Sequence, residues 1–292
     1  MIRFLSLLAL CVLCLAARAQ ESLFSLYHVN QLSFNPAFAG VEDSNTVSIG
    51  TRDQFPQFRK HPRSVLFSYD RYLEKMNSGI AMTYLYERIG QEKYHQVGFC
   101  YNYNILLKDK MNLRAGVQVS VVNKTIDFNW IIYPPGSSQP QGIASSTKMD
   151  LDAGLWYSWS DFYLGLSIRH IIQPVFTFKN ENGNFEAAIK TRYYITSGYT
   201  IRLSDNLQTT PSFRAAPYSF SNKWFYIDIN NTFLIKNTIY LGASYQPQPN
   251  GYSNLIVNSG VNIKNKFLIL LAYELPVKYS SAAVEVTARY KF

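Results

Sequence analysis

Beyond residue 20 the chain has no apolar run long enough to cross a bilayer as a helix, which takes about 20 residues. Any crossing of a membrane is therefore left to strands, which must close into a barrel so that no backbone group is stranded in lipid. Cysteine is nearly absent. Cys11 and Cys14 lie in the first twenty residues, so Cys100 stands alone in the rest. That excludes an intramolecular disulfide, a Cys-x-x-Cys pair and a zinc pattern. Charge is sparse, with Asp, Glu, Lys and Arg at 16% of residues. The four histidines, His28, His61, His95 and His170, are not spaced as metal pairs. No Gly-x-Ser-x-Gly elbow and no phosphate loop occurs. The net charge of +9 comes from basic residues that do not cluster. In an exported chain this fits solvated turns and a lumen facing anionic lipopolysaccharide or an acidic partner, not nucleic acid.

The first residues read as an export signal. Arg3 supplies the positive start, Phe4 to Ala16 the apolar stretch, and Ala17-Arg18-Ala19 a small-x-small cleavage site before Gln20. The stretch is too short for an anchor helix, and Cys14 lacks the small residue that precedes a lipidated cysteine. The expected organisation is a signal peptide at 1–19, an N-terminal segment at 20–44 and a barrel at 45–292. The 22 tyrosines and 19 phenylalanines, with a mean hydropathy of only −0.10, suit strands that alternate apolar and polar residues.

That alternation is explicit at the C-terminus. Val284, Val286, Ala288, Tyr290 and Phe292 alternate with Glu285, Thr287, Arg289 and Lys291. Successive strand side chains point to opposite faces, so one face is apolar and the other polar. The same period runs through Leu113 to Val121, Val97 to Ile105, Leu151 to Tyr157 and Tyr193 to Ile201. Fourteen strands are expected, near 45–52, 63–72, 78–88, 93–107, 111–126, 149–159, 162–172, 189–203, 207–216, 223–235, 238–246, 253–263, 266–275 and 281–292. Every second interval is short and polar, and the others are mostly longer, notably 127–148 and 173–188. Short turns at one end and long loops at the other, with an even strand number, are the pattern of a transmembrane antiparallel β-barrel. A soluble all-β sandwich is the alternative fold. Glycines recur on the polar face at Gly98, Gly116, Gly154, Gly165, Gly198, Gly242 and Gly260. They serve either barrel curvature or the approach of a second backbone filling the lumen.

Residues 24–40, FSLYHVNQLSFNPAFAG, precede the first strand and have no strand period. Tyr27, Asn30, Asn35, Pro36, Ala37, Phe38, Ala39 and Gly40 resemble the N-terminal hallmark of the PorP/SprF family of type IX secretion system membrane proteins. There an aromatic-rich Y-x-x-N segment leads into N-P-A-[YF]-A-G. Arg52 and Gln54 look like the family's R-x-Q, with Phe55 where tryptophan is common. The resemblance implies an outer-membrane protein that works with type IX secretion components. It would support export or surface attachment of a secreted protein, such as an adhesin, through that protein's C-terminal signal domain. No cofactor, metal or nucleic acid is implied. The N-terminal segment is expected to fold back into the barrel, because its aromatics Phe24, Tyr27, Phe34 and Phe38 would otherwise face water.

Two other function classes remain at this point. One is an outer-membrane channel for hydrophobic or small solutes. The other is a barrel enzyme, for which Asp150 and Asp152, two residues apart on one face, are the sole candidate pair. Their expected neighbours in the lumen are Arg114, Arg169, Arg192, Glu285 and Arg289, with Cys100 as a packed thiol. Tyr290 and Phe292 carry the terminal aromatic pattern that bacterial barrels offer to the assembly machinery.

Overall fold

The computed structural model describes residues 24–58, 60–107, 110–130, 141–180, 183–217, 225–247, 253–277 and 282–292. The signal segment and the cleavage site lie outside them. The strands are β1 (Thr46–Gln54), β2 (Arg63–Leu73), β3 (Ser78–Ile89), β4 (Glu92–Leu106), β5 (Met111–Asp127), β6 (Ile143–Trp159), β7 (Phe162–Arg169), β8 (Val175–Asn180) and β9 (Gly183–Ala188). They continue as β10 (Arg192–Tyr199), β11 (Ile201–Ser204), β12 (Leu207–Pro217), β13 (Phe225–Ile235), β14 (Ile239–Pro247), β15 (Ser253–Ile263), β16 (Phe267–Val277) and β17 (Ala283–Lys291).

Neighbours in sequence pair antiparallel around the ring. β1 closes on β17 with Thr46 opposite Lys291 and Gln54 opposite Ala283, and β10 closes on β12 between Ile195–Gly198 and Ser212–Ala215. With β10 and β11 counted as one interrupted strand and β8–β9 set apart, the wall is a closed barrel of fourteen strands. Closure leaves no soluble-sandwich reading. Ile49, Phe99, Val117, Leu155, Ile195, Ile229, Leu241, Leu271 and Val286 point outward and are exposed, forming an apolar belt. Between them Gln118, Ser120, Asp150, Asp152, Arg214, Asp228, Glu274, Glu285 and Thr287 point inward and are buried. Tight turns gather at one end. Lys236-Asn237 and Lys264-Asn265 each carry two successive positive φ angles, the type I′ geometry that matches strand twist.

Three elements differ from the sequence expectation. β6 begins at Ile143, six residues before the expected 149, and β5 pairs with it throughout. Its first residues lack apolar alternation because they stand above the belt. There Asn123 Nδ2 donates to the hydroxyls of Ser145 and Thr147. The expected strand 189–203 is broken at Thr200, whose N–H donates to the Asp161 carbonyl instead of a strand partner. The expected loop 173–188 contains the hairpin β8–β9. Its Phe176 and Phe178 pack against Val122, Ile126 and Phe128 on the inner side of the wall at the long-loop end.

Candidate functional site

Residues 24–45 fold inside the barrel, and the site is the seam between this plug and the wall. Asn35 starts it. Its Oδ1 accepts from Ala37 N at 3.0 Å, capping the 3-10 turn Pro36–Phe38. Pro36 at the first position has no N–H to satisfy and a φ already suited to the turn. The Nδ2 of the same asparagine donates to the Leu155 carbonyl at 3.1 Å, in the wall. One side chain thus shapes the turn and fixes it to β6.

The residues after it fit through smallness. Ala37 and Ala39 are fully buried. A Cβ added at Gly116 would meet Ala37 and Pro36, one at Gly154 would meet Asn35, and one at Gly79 would meet Ala39. Asn102 Nδ2 donates to the Ala39 carbonyl at 2.7 Å, and Arg114 Nη1 to the Gly40 carbonyl at 3.0 Å. Gly40 has a φ of +65° and donates its N–H to Asp70 Oδ2 at 3.0 Å. Phe38 meets the Trp156 ring edge-on at 4.9 Å. The family-like string Asn35–Gly40 is therefore a close-approach motif, and it needs inward glycines in the wall.

Toward its N-terminal end the plug meets charge. Ser25 N and Leu26 N donate to the Glu285 carboxylate at 2.6 and 3.0 Å. Arg52 donates to Ser25 Oγ and to Glu274, both at 2.5 Å. Arg214 donates to the Phe24 carbonyl at 3.0 Å and to Asp228 at 3.2 Å. Its guanidinium also lies 4.6 Å from the centre of the Tyr27 ring. Tyr27 hydrogen-bonds Ser212 at 3.0 Å, and Asn30 donates to Thr287 at 3.0 Å. Arg289 donates to the Val29 carbonyl and, at 2.5 Å, to Glu42, which Lys291 also contacts. Burial pushes the Glu42 carboxyl up, but Arg289 and Lys291 outweigh this and hold it below its usual range. The His28 imidazole is pushed down to about 4, mainly by burial and further by Arg289 and Arg214.

A separate network joins β6 to the end of β7. His170 Nδ1 and Asp150 Oδ2 are 2.5 Å apart. Asp152 accepts from the His170 N–H at 2.8 Å, from Gln118 at 3.0 Å and from Arg169 Nε at 3.3 Å. The ligating atoms of Asp150, Asp152 and His170 all lie within 4.8 Å of one another. A cation there would face the Arg169 guanidinium, and each carboxylate already has donors. The cluster is best read as a lock between two strands.

The sequence-derived candidates therefore separate. Tyr27, Asn30, Asn35, Pro36, Ala37, Phe38, Ala39, Gly40, Arg52, Arg114, Glu285 and Arg289 meet along the plug. Asp150, Asp152 and Arg169 lie in the strand lock, and Arg192 sits opposite Arg169 on β10. Tyr290 and Phe292 stack on each other outside, with centroids 5.7 Å apart. Arg114 and Arg289 serve plug carbonyls and not the Asp150–Asp152 pair. Of the seven glycines singled out, only Gly116 and Gly154 face the plug. Gly98, Gly165, Gly198, Gly242 and Gly260 face neighbouring wall residues. Asp70, Asn102, Arg214, Asp228 and Glu274 went unnoticed in the sequence. Their signal was a large polar residue on the inner face of an alternating strand.

The sequence matches the family described as type IX secretion system membrane protein PorP/SprF over residues 16–290. The chain belongs to that family. Comparison with curated protein sequences gives no match. Among solved structures, the PorP/SprF chain is similar in fold to a FadL homologue of Pseudomonas aeruginosa. That match has 10% identity and TM-score 0.55, covering 88% of this chain and 93% of the other. The toluene transporter TbuX of Ralstonia pickettii matches with 11% identity and TM-score 0.52, covering 88% and 92%. An outer membrane protein of Acinetobacter baumannii matches with 8% identity and TM-score 0.52, covering 85% and 98%. At such identities the likeness is one of fold, an outer-membrane type of barrel.

Proposed function

We propose that this PorP/SprF barrel sits in the outer membrane as a non-catalytic component of type IX export, and supports the export or surface attachment of a secreted protein. Family membership over nearly the whole chain carries the pathway. The plug carries the choice of role. Buried arginines, carboxylates and asparagines grip it along its length, so the lumen is filled by the protein's own chain. A channel for hydrophobic solutes would want an apolar path, and the wall around the plug is lined by Arg52, Arg114, Arg214, Glu274 and Glu285. Catalysis by Asp150 and Asp152 is disfavoured because His170 and Arg169 already engage them. Short turns face the periplasm and long loops the exterior, as in other barrels. The mature protein then starts at Gln20, and Tyr290 and Phe292 serve assembly.

Deletion of the gene with surface proteomics tests this reading. The expected result is loss of one or more type IX-exported proteins from the surface. Purified barrel in planar bilayers should show no steady conductance. An unchanged surface proteome together with solute uptake would favour the channel.

A further inference from the structure

The outward face of the wall is apolar over most of its height, but its rim is uneven in charge. On β2 the outward residues run Tyr69, Phe67, Val65 and Arg63 toward the long-loop end. On β3 they run Met82, Tyr84, Tyr86 and Arg88, and on β4 Phe99, Val97, His95 and Lys93. Each of these strands ends its apolar and aromatic run on a cation. Pairing puts the three cations in one line, with Arg63 opposite Arg88 and Arg88 opposite Lys93. Residues directly opposite one another lie about 5 Å apart at Cβ, and like charges there destabilise a sheet. Among the described residues of the wall strands, no other cation stands on the outward face at this end.

Two of the three have no counter-charge. Arg63 is neutralised by Asp53, with Nε to Oδ1 at 2.8 Å and Nη2 to Oδ2 at 3.2 Å, and His61 holds the same carboxylate at 3.0 Å. Arg88 and Lys93 make no side-chain hydrogen bond and no ion pair among the described residues. Lys93 is exposed, and the Nε of Arg88 is buried without a partner. Glu92, next in sequence, points to the other face and is taken by Lys124 at 2.7 Å. Beneath the cations Tyr84 and Tyr86 flank His95. Tyr84 Oη is 3.0 Å from His95 Nδ1, and the Tyr86 ring centre is 4.9 Å from that of the imidazole. Such an aromatic shelf marks a membrane interface. Phe67, Met82 and Phe99 continue below it and are exposed. Beside Lys93 the same row runs on as Thr125 and Ser145, above the apolar belt.

We infer that Arg88 and Lys93, with Arg63 at their flank, hold a phosphate of a lipopolysaccharide headgroup in the outer leaflet, whose acyl chains lie along Phe67, Tyr84, Val97 and Phe99. This rests on the outer-membrane placement proposed above, with the long loops outside, and not on the export role. Place decides the class of ligand. A cation on the outward face of a membrane barrel meets lipid, whereas the lumen and the plug lie behind the wall. The aromatic shelf directly beneath the charge calls for an amphipathic ligand, anionic at its head and apolar below. A phosphate accepts from a guanidinium fork and an ammonium at once. It also removes the repulsion between two opposed cations that no carboxylate of this chain relieves.

Placement is read first. Phe58→Cys, in the exposed β1–β2 loop at this end, should react with an impermeant maleimide on whole cells, while Cys100 is buried and silent. No reaction would overturn the placement itself, and the inference with it. The purified barrel is then titrated in detergent with lipid A, dephosphorylated lipid A and phosphatidylglycerol, and bound lipid is counted by native mass spectrometry. Lipid A should bind at least tenfold more tightly than either of the others. Arg88→Gln with Lys93→Gln should weaken lipid A binding at least tenfold, with unchanged heat-modifiable migration. Arg63→Gln should weaken it less, because Asp53 already takes that charge. Lys75→Gln with Lys266→Gln, two exposed lysines at the short-turn end, should leave it unchanged. Without lipid A, the Arg88 and Lys93 double variant should unfold no earlier than the parent, since opposed like charges are gone. With lipid A, the midpoint of the parent should rise and that of the variant should not. Equal binding of dephosphorylated lipid A, or an equal loss with the Lys75 and Lys266 pair, would overturn the phosphate site. Equal binding of phosphatidylglycerol would overturn its assignment to lipopolysaccharide. With Phe58→Cys labelled, either result leaves the outer-membrane placement standing.

Discussion

The barrel is closed by two pieces of its own chain, and they are held by opposite physics. The plug is held by directional polar bonds: carbonyls of Phe24, Val29, Ala39 and Gly40 each accept from a wall side chain. The hairpin at the other mouth is held by an apolar cluster of Phe176, Phe178, Val122, Ile126 and Phe128. Polar recognition of a backbone fixes one register, because each of these carbonyls must meet a donor that stands at a set place in the wall. Apolar contact is tolerant in direction and scales with area. The plug is thus a specified insert, and the hairpin an adherent flap.

The strongest way to break this contrast is to cut one anchor of each kind. Arg214→Ala leaves Asp228 buried without its guanidinium partner and frees the Phe24 carbonyl. Breaking a buried pair from one side costs about 3–5 kcal/mol. The expected outcome is a lower unfolding midpoint for the whole barrel in denaturant, with the plug becoming open to protease. Phe178→Ala removes a similar gross amount, about 3–5 kcal/mol for a buried phenylalanine. Its effect should stay local, as hairpin cleavage by protease with an unchanged barrel midpoint. Equal effects of the two on the barrel midpoint would erase the distinction between insert and flap.

A smaller effect sharpens the plug side. Asn35→Ala removes the cap on Ala37 and the bond to the Leu155 carbonyl, at about 1–3 kcal/mol for buried groups left unsatisfied. Asn35→Asp keeps the cap acceptor but loses the donor to Leu155, so it should recover only part of the loss. Denaturant midpoints of the two variants measure this. Full recovery by aspartate would show that the wall bond contributes nothing.

Legibility in the sequence followed the same division. The wall was readable because burial on one face and lipid on the other force a period of two, and the Asn35–Gly40 string marked the plug. The hairpin was missed because Asn182-Gly183-Asn184 marks 173–188 as a loop, and its two buried phenylalanines are too few to set a period. Val122 and Ile126 were the available signal, since they put apolar side chains on a face that is polar elsewhere along β5. The early start of β6 was missed because Ser145 and Thr147 stand above the lipid, where nothing demands an apolar face. Partners of the plug such as Arg214 and Asp228 could be placed on the inner face, but pairing them requires the register of β12 against β13. Only the closed barrel supplies that.

The effect that is smallest at neutral pH, and grows only on acidification, is a pH dependence peculiar to the plug. Both ring nitrogens of His28 are buried without a hydrogen-bond partner, and the ring meets Tyr27 edge-on at 5.8 Å. Burial, with Arg289 and Arg214 nearby, lowers its pKa from an ordinary 6.5 to about 4. The folded plug therefore keeps His28 neutral, while the released segment takes up a proton first. Stability is full above pH 6.5, declines as the pH falls toward 4, and levels below that, because the unfolded state binds more protons across this window. Glu42 moves in the same direction, since its carboxylate is stabilised in the fold by Arg289 and Lys291, but its loss begins only as the pH approaches the unfolded carboxylate range. His28→Gln removes the upper part of the window and leaves the lower. Thermal midpoints measured every half unit from pH 7.5 to 4 should fall for the unmodified protein from about 6.5 downward, and for His28→Gln only at the acidic end. Parallel curves would show that the imidazole finds a proton acceptor in the folded plug, and that this part of the insert is less tightly specified than its backbone contacts imply.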